Sequence, residues 1–240
     1  MSYLAVGWDN ALNHAGVVAL DRHGNVRAWR YLAETLKAAK QDSLRGSVFP
    51  KTRYKKAVEG EREAFQTARL RWLRAWYRRI RDTILMLADV PVYIGVEDYA
   101  LHAKGSTHQI AEAGGILRIE LTDHNRVRLR RHDPMSVKLY TTGHGHADKG
   151  QVQAALRGDG HPWDHLAPAV VEDLYDALAI ARLVRAEVEV RAGRVLMSDL
   201  QDHERRVFNR VTKPYPVNIL DRPWSQRATD AAGYSTEAGL

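Results

Sequence analysis

The sequence predicts an α/β fold in which one mixed sheet carries layers of helix. Three observations support that expectation. Apolar runs at Leu4–Trp8 and Gly16–Leu20 and the alternating stretch Val26–Leu32 read as three strands of a meander, and DRHGN (21–25) between the last two is a turn rich in residues that tolerate left-handed backbone. Val90 to Tyr99 is apolar almost without interruption, the pattern of a central strand covered on both faces. From Glu59 to Asp89 the period changes: Phe65, Leu70, Leu73, Trp76 or Tyr77, Ile80, Ile84 and Leu87 recur every three or four residues, so this stretch is helical.

The remaining elements follow in order. Residues 33–56 are mixed and basic, broken by Gly46 and Pro50, and read as loop and helix start. After LHAKGS, Thr107 to Thr122 forms a helix with Ile110, Gly114, Leu117 and Leu121 along one side and Ala111, Gly115 and Ile116 on another. Val127 to Arg131 is a strand ended by Asp133-Pro134. MSVKLYTTGHGHADKGQVQAALRG (135–158) is helical with a glycine-broken middle, and Val170 to Val190 is the clearest helix of the chain. Residues 191–240 are charged, contain PYP and RPW, and read as a C-terminal extension with a disordered tail from about 226. No repeat or linker divides the rest. The expected organisation is one domain over 1–190, with a basic helical insertion at 40–89, followed by the extension.

The formal charge is +7, and 27 of the 36 basic residues are arginine. That balance favours a partner rich in phosphate, because the planar guanidinium binds it bidentately. The chain contains no cysteine, which excludes disulfides, thiolate zinc sites and cysteine nucleophiles. MSYLAVGWDN lacks the basic segment and long apolar run of a signal peptide, and no stretch approaches about 18 uninterrupted apolar residues. A soluble cytoplasmic protein is expected.

Several carboxylates sit in awkward places for a basic chain. Asp9 ends the first strand and Glu97 ends the central one, where an apolar rim makes a carboxylate costly to desolvate. Asp173 and Asp176 lie three apart on one face of the last long helix, with Glu172 an equally cofacial alternative to Asp173. Asp98 is expected to face away from Glu97 and is set aside. If the first strand pairs with the central one, Asp9 and Glu97 emerge together, and a helix crossing that edge adds the other pair. Four converging carboxylates need cations to stay ionised. Mg²⁺ or Mn²⁺ suits an all-oxygen donor set, and two such ions make a phosphodiesterase site.

The segments VGWDNALNHAGVVAL, YIGVEDYA, VKLYTTGHGHADKGQVQAAL and VEDLYDALAIARL resemble the RuvC-type Holliday junction resolvases of the RNase H-like superfamily. The likeness covers roughly residues 3–32 and 90–186, and its most specific parts are the two lysines around a glycine-broken loop and the D-x-x-D-A-L-A-I-A run. The resemblance implies an RNase H-like mixed five-stranded sheet flanked by helices, a two-fold homodimer, and Mg²⁺-dependent symmetric nicking of four-way DNA junctions. It carries the catalytic, metal-binding carboxylates onto Asp9, Glu97, Asp173 and Asp176, with two ions per site and Mn²⁺ as a substitute. It carries the DNA-facing lysines onto Lys138 and Lys149.

Further candidate DNA contacts are Lys104, Tyr99, His144 and His146. The family's aromatic wedge is represented by Tyr99, one position early, with Leu101 or His102 as alternatives; the two histidines are either phosphate or metal contacts or plain loop residues. Asn10-Ala11-Leu12 departs from the small loop that usually follows the first aspartate. The length and the basic segment look more like bacteriophage relatives than the bacterial enzyme, so the expected setting is a bacterium or a phage-infected host. The helix at 107–122, apolar on two sides, is the expected dimer surface. Two other classes stay open: an RNase H-like nuclease for RNA, hybrids or flaps, and a non-catalytic DNA-binding protein.

Overall fold

In this computed structural model, residues 2–10, 14–33, 48–50, 62–98, 107–158 and 160–225 are described. The strands are β1 (Leu4–Asn10), β2 (His14–Asp21), β3 (Val26–Ala33), β4 (Val48–Pro50), β5 (Val92–Glu97) and β6 (Val127–His132). The helices are α1 (Arg62–Leu85), α2 (Thr107–Thr122), α3 (Pro134–Thr142), α4 (Lys149–Leu156), α5 (Pro168–Arg191) and α6 (Asp202–Phe208). The sheet order is β4-β3-β2-β1-β5-β6. β1, β2 and β3 are antiparallel neighbours, whereas β5 runs parallel to β1 and β6 parallel to β5. This is the expected mixed sheet of five strands flanked by helices. A sixth strand, β4, adds three residues parallel to β3 at the edge, inside the stretch that the sequence reads as loop.

Strand alternation sorts the side chains into two cores. Leu4, Val6 and Trp8 of β1 and Val92, Ile94 and Val96 of β5 face one way, where α1 and α2 cover them with Leu73, Trp76, Tyr77, Ile80, Leu117 and Leu121. The basic helical stretch thus buries an apolar stripe on the sheet, and its exposed face is basic. Ala5 and Tyr93 point to the other side, which α5 covers. α5 is buried nearly all round, because α3 and α4 close over its back, with α6 packed on α3.

The placement of α5 depends on glycine. A Cβ at Gly7 would stand 1.8 Å from the Ala177 carbonyl oxygen, and one at Gly16 would stand 2.4 Å from that of Asp173. The helix backbone therefore lies against the strand backbones with no side chain between. Both obstructing atoms are main chain and cannot rotate away. Gly7→Ala is expected to cost about 3 kcal/mol or more, the upper end for overpacking a core. A thermal melt within a few degrees of the unsubstituted chain would refute this account of the packing.

The C-terminal segment is more integrated than its poor periodicity suggests. Val207, Phe208 and Ile219 enter the α5-side core, and Ser225 exchanges two backbone hydrogen bonds with Leu129 of β6, at 2.8 and 3.0 Å. The tail expected to be disordered from about 226 lies outside the described residues. No helix among the described residues is long and apolar enough to cross a membrane.

On α2, Ala113, Leu117 and Leu121 are buried against the sheet. Ile119 is 65% exposed. With Ile116, Leu70 and Thr67 it borders an open groove of about 340 Å³ between α1 and α2.

Candidate active site

Register brings the first two carboxylates together. Gly7 of β1 is opposite Gly95 of β5, and two residues later each strand carries an acid, Asp9 one residue before the end of β1 and Glu97 at the end of β5. Period-two alternation places both on the α5 face. Because Gly7 and Gly16 let α5 approach, its first turns cross this end of the sheet. Carboxylate oxygens of Asp9, Asp173 and Asp176 then lie within 4.8 Å of one another. Glu97 stands just outside that triad but acts on it electrostatically.

The geometry separates Asp173 from Glu172. Asp173 is 2% exposed and faces the cluster. The Glu172 side chain is 42% exposed and pairs with Lys149 at 3.8 Å. Asp173 is also held by two residues that sequence reasoning missed. The Tyr31 hydroxyl donates to Asp173 Oδ2 at 3.1 Å, and His14 Nδ1 stands 2.7 Å from the same oxygen, close but not aligned as a hydrogen bond. A third missed contact fixes the residue after Asp9: the Tyr77 hydroxyl of α1 donates to Asn10 Oδ1 at 3.0 Å.

The acids share two lysines. Lys149 opens α4 behind a capping box, in which Asp148 accepts from the Gln151 amide and the Gln151 side chain accepts from the Asp148 amide. Its Nζ lies 3.4 Å from both Asp173 and Asp176. A lysine at a helix N-terminus opposes the dipole, so these carboxylates are what favour it there. Lys138 on α3 acts on Glu97 and Asp176, opposing the rise in their pKa. His144 and His146 are exposed in the loop between α3 and α4 and take no part in the acidic triad. Tyr99 and Lys104, together with Leu101 and His102, lie outside the described residues.

Burial and mutual repulsion raise these acids. Asp9 is pushed well above the carboxylate range, first by burial and then by Glu97, Asp176 and Asp173, with Lys149 opposing. Glu97 rises to about 7, by burial and then by Asp176. Asp176 rises by burial, against the pull of Lys149. Burial works against the charge on Lys149, but Asp176, Asp173 and Asp9 outweigh it and hold that pKa up. The donor set fits a hard divalent cation: every first ligand is a carboxylate oxygen, and a lysine ammonium already sits among them as a partial counter-charge.

A pH dependence follows from these directions. Asp9, Glu97 and Asp176 each have a folded pKa above the unfolded value, so the folded chain holds protons that the unfolded chain releases. Their contribution to stability is complete at low pH and is lost as pH rises from about 4.5 through about 7. Glu97 alone, raised from 4.5 to about 7, contributes up to roughly 3 kcal/mol. In EDTA, the Tm should fall between about pH 5 and about pH 8, and millimolar Mg²⁺ should restore most of the loss at the higher pH. A flat profile would mean that neither burial nor mutual repulsion raises these acids in the folded chain.

No protein-family profile matches the chain. Curated sequences do. The chain is 31% identical over 91 residues to the crossover junction endodeoxyribonuclease RuvC of Prochlorococcus marinus strain NATL2A, covering 38% of this chain and 56% of that protein. It is 31% identical over 90 residues to the RuvC of Synechococcus sp. strain RCC307, covering 38% and 55%. The match spans a little over half the length of these relatives. Among solved structures, Thermus thermophilus RuvC aligns with 20% identity and a TM-score of 0.48, over 80% of this chain and 97% of that one. T. thermophilus RuvC in complex with a Holliday junction substrate aligns with 17% identity and a TM-score of 0.47, over 80% and 96%. Over those 91 residues this chain is a sequence relative of the RuvC-type crossover junction endodeoxyribonucleases.

Proposed function

We propose that this chain is a metal-dependent endonuclease that resolves four-way DNA junctions as a homodimer. The observation that carries the reading is the convergence of Asp9, Glu97, Asp173 and Asp176 at one end of the sheet, in a chain of net charge +7, with Lys149 among them. Such an acidic centre on a basic protein suits phosphodiester hydrolysis: basic side chains hold the DNA backbone, and carboxylates hold the ions that act on it. Asp9, Asp173, Asp176 and Glu97 are the residues that would hold two Mg²⁺ ions, with Mn²⁺ as a substitute. When bound, the ions supply an activated water and neutralise charge on the leaving oxygen.

The chain's own groups do the rest. Tyr31 fixes the orientation of Asp173, and Tyr77 fixes Asn10 beside Asp9. Lys138 and Lys149 approach the carboxylates from two different helices and bring positive charge to an entering phosphate. Tyr99, Lys104, His144 and His146 complete the proposed DNA-contacting set. Resolution needs two cuts related by a two-fold axis, which a C₂ dimer provides by using one patch twice. The open groove along Ile116 and Ile119 is the surface that fits this role. In this reading residues 1–190 are the nuclease domain, residues 191–240 are an extension, and the protein works in the cytoplasm of a bacterium or a phage-infected host.

The deciding experiment incubates the protein with labelled four-way junction, linear duplex, RNA–DNA hybrid and flap substrates, in Mg²⁺ and in EDTA. Symmetric, Mg²⁺-dependent nicking of the junction alone is expected. Preferred cutting of the hybrid or flap would move the substrate class, and junction binding without cleavage in any metal would make the protein a binding module.

A further inference from the structure

We infer that Tyr215, in the C-terminal segment, is a positioning residue for the Glu97 corner of the active site. The inference rests on the proposed nuclease reading, but its observations are separate from those that carry that reading.

Glu97 is the last residue of β5, and the Asp98 amide closes the ladder by donating to the His132 carbonyl at 2.8 Å. Among the described residues, the hold on Glu97 from its C-terminal side runs through Asp98. That carboxylate accepts from Arg131 Nη1 at 3.1 Å and, in a short hydrogen bond, from the Tyr215 hydroxyl. Tyr215 comes from a part of the chain far from β5 in sequence, so it clamps the strand end from outside.

The clamp has firm footing. Thr212 and Tyr215 exchange two backbone hydrogen bonds at 2.9 Å, making a tight turn that presents the tyrosine. The Arg222 guanidinium lies 4.2 Å from the centre of the Tyr215 ring. The Arg222 carbonyl accepts from Arg130 at 2.6 Å and from Arg191 at 2.7 Å, and Trp224 covers Arg130 at 4.6 Å. Closer to the site, Arg210 pairs with Asp133 at 2.9 Å and donates to Ser136 at 3.1 Å, at the start of the helix that carries Lys138. One segment thus ties down two neighbours of the acidic cluster: the strand end bearing Glu97 and the helix bearing Lys138.

A clamp matters here because Glu97 is repelled by Asp176. A strand end free to shift relaxes away from that repulsion, and a carboxylate displaced by about 1 Å loses the geometry that catalysis requires. Tyr215 touches no reacting group, so its loss should slow the chemical step and leave DNA affinity alone.

The test compares the full-length chain with Tyr215→Phe, which removes only the hydroxyl, and with Asp98→Asn. Single-turnover junction cleavage in Mg²⁺ gives the rate, junction binding in Ca²⁺ gives the affinity, and hydrogen exchange without DNA reports on the peptide covering Val92–Asp98. Tyr215→Phe should slow cleavage about tenfold, keep junction affinity within about twofold and speed exchange at residues 97–98. Asp98→Asn should act in the same direction, since it weakens the hold of both Tyr215 and Arg131, and in the double variant the two effects should not add in full, because both substitutions act on one shared hydrogen bond. Cleavage at the unsubstituted rate, or unchanged exchange, overturns the inference. A parallel loss of junction affinity also overturns it, since Tyr215 would then be a DNA contact. If the unsubstituted chain fails to cut junctions, the nuclease reading fails, and the exchange measurement still decides whether Tyr215 holds the strand end.

Discussion

Asp9→Asn should lower junction cleavage by about a thousandfold or more, roughly 4 kcal/mol of transition-state stabilisation, while raising the stability of the metal-free protein. The substitution keeps size and shape but removes the carboxylate at the centre of the cluster, the one whose pKa burial and three acidic neighbours raise most clearly. Without metal that charge is a liability, so neutralising it relieves repulsion on Glu97, Asp176 and Asp173. With metal it is a ligand, and its loss removes the reason for the cluster. Opposite movements of activity and Tm in one variant are the signature of a site assembled for function at the expense of stability. Junction affinity should hold or tighten, because one negative charge facing phosphate has gone. Near-normal cleavage by Asp9→Asn would remove Asp9 from the site, and a lower Tm in EDTA would show that the carboxylate is instead satisfied within the fold.

Much of this was legible in the sequence, for reasons that also explain what was not. Asp9 and Glu97 stand out because a carboxylate ending an apolar strand breaks a local pattern, and strand alternation then fixes the face each takes. The choice between Asp173 and Glu172 was open because both share a helical face with Asp176; in the structure the rotation of α5, which depends on two strands approaching it through Gly7 and Gly16, turns Asp173 toward Asp9 and Asp176. His14 and Tyr31 reach Asp173 across 159 and 142 residues of sequence, and no local period reports such contacts. β4 is three residues long, too short to show alternation. The C-terminal segment looked like an appendage because periodicity registers apolar residues, whereas this segment is held largely by arginines binding main-chain carbonyls. Asp98 lies outside the acidic triad, and its partner Tyr215, 117 residues away, was not visible in the sequence.

The largest stability effect away from the carboxylates is expected at Glu187. Its side chain is fully buried in α5 and pairs with Arg130 of β6 at 2.9 Å and with Arg191 at 2.8 Å. The two principal partners shift in ways that expose the balance. Burial lowers the pKa of Arg130 to about 10 and raises that of Glu187, so for both groups desolvation outweighs the attraction between them. Buried pairs of this kind are generally no better than an apolar contact of the same volume, yet breaking one is costly because a buried charge is left alone. Glu187→Ala should destabilise the chain by about 3–5 kcal/mol, leaving Arg130 buried without its carboxylate and loosening its hold on the Arg222 carbonyl and Trp224. Glu187→Gln should cost less, since an amide oxygen still accepts from both arginines. Arg130→Met combined with Glu187→Leu should recover most of the loss, because neither charge then remains to be desolvated, although Arg222 still loses one donor. Urea unfolding of the four proteins measures all three differences. A double variant as unstable as Glu187→Ala would show that the ion pair stabilises the fold outright and that the argument from desolvation is wrong.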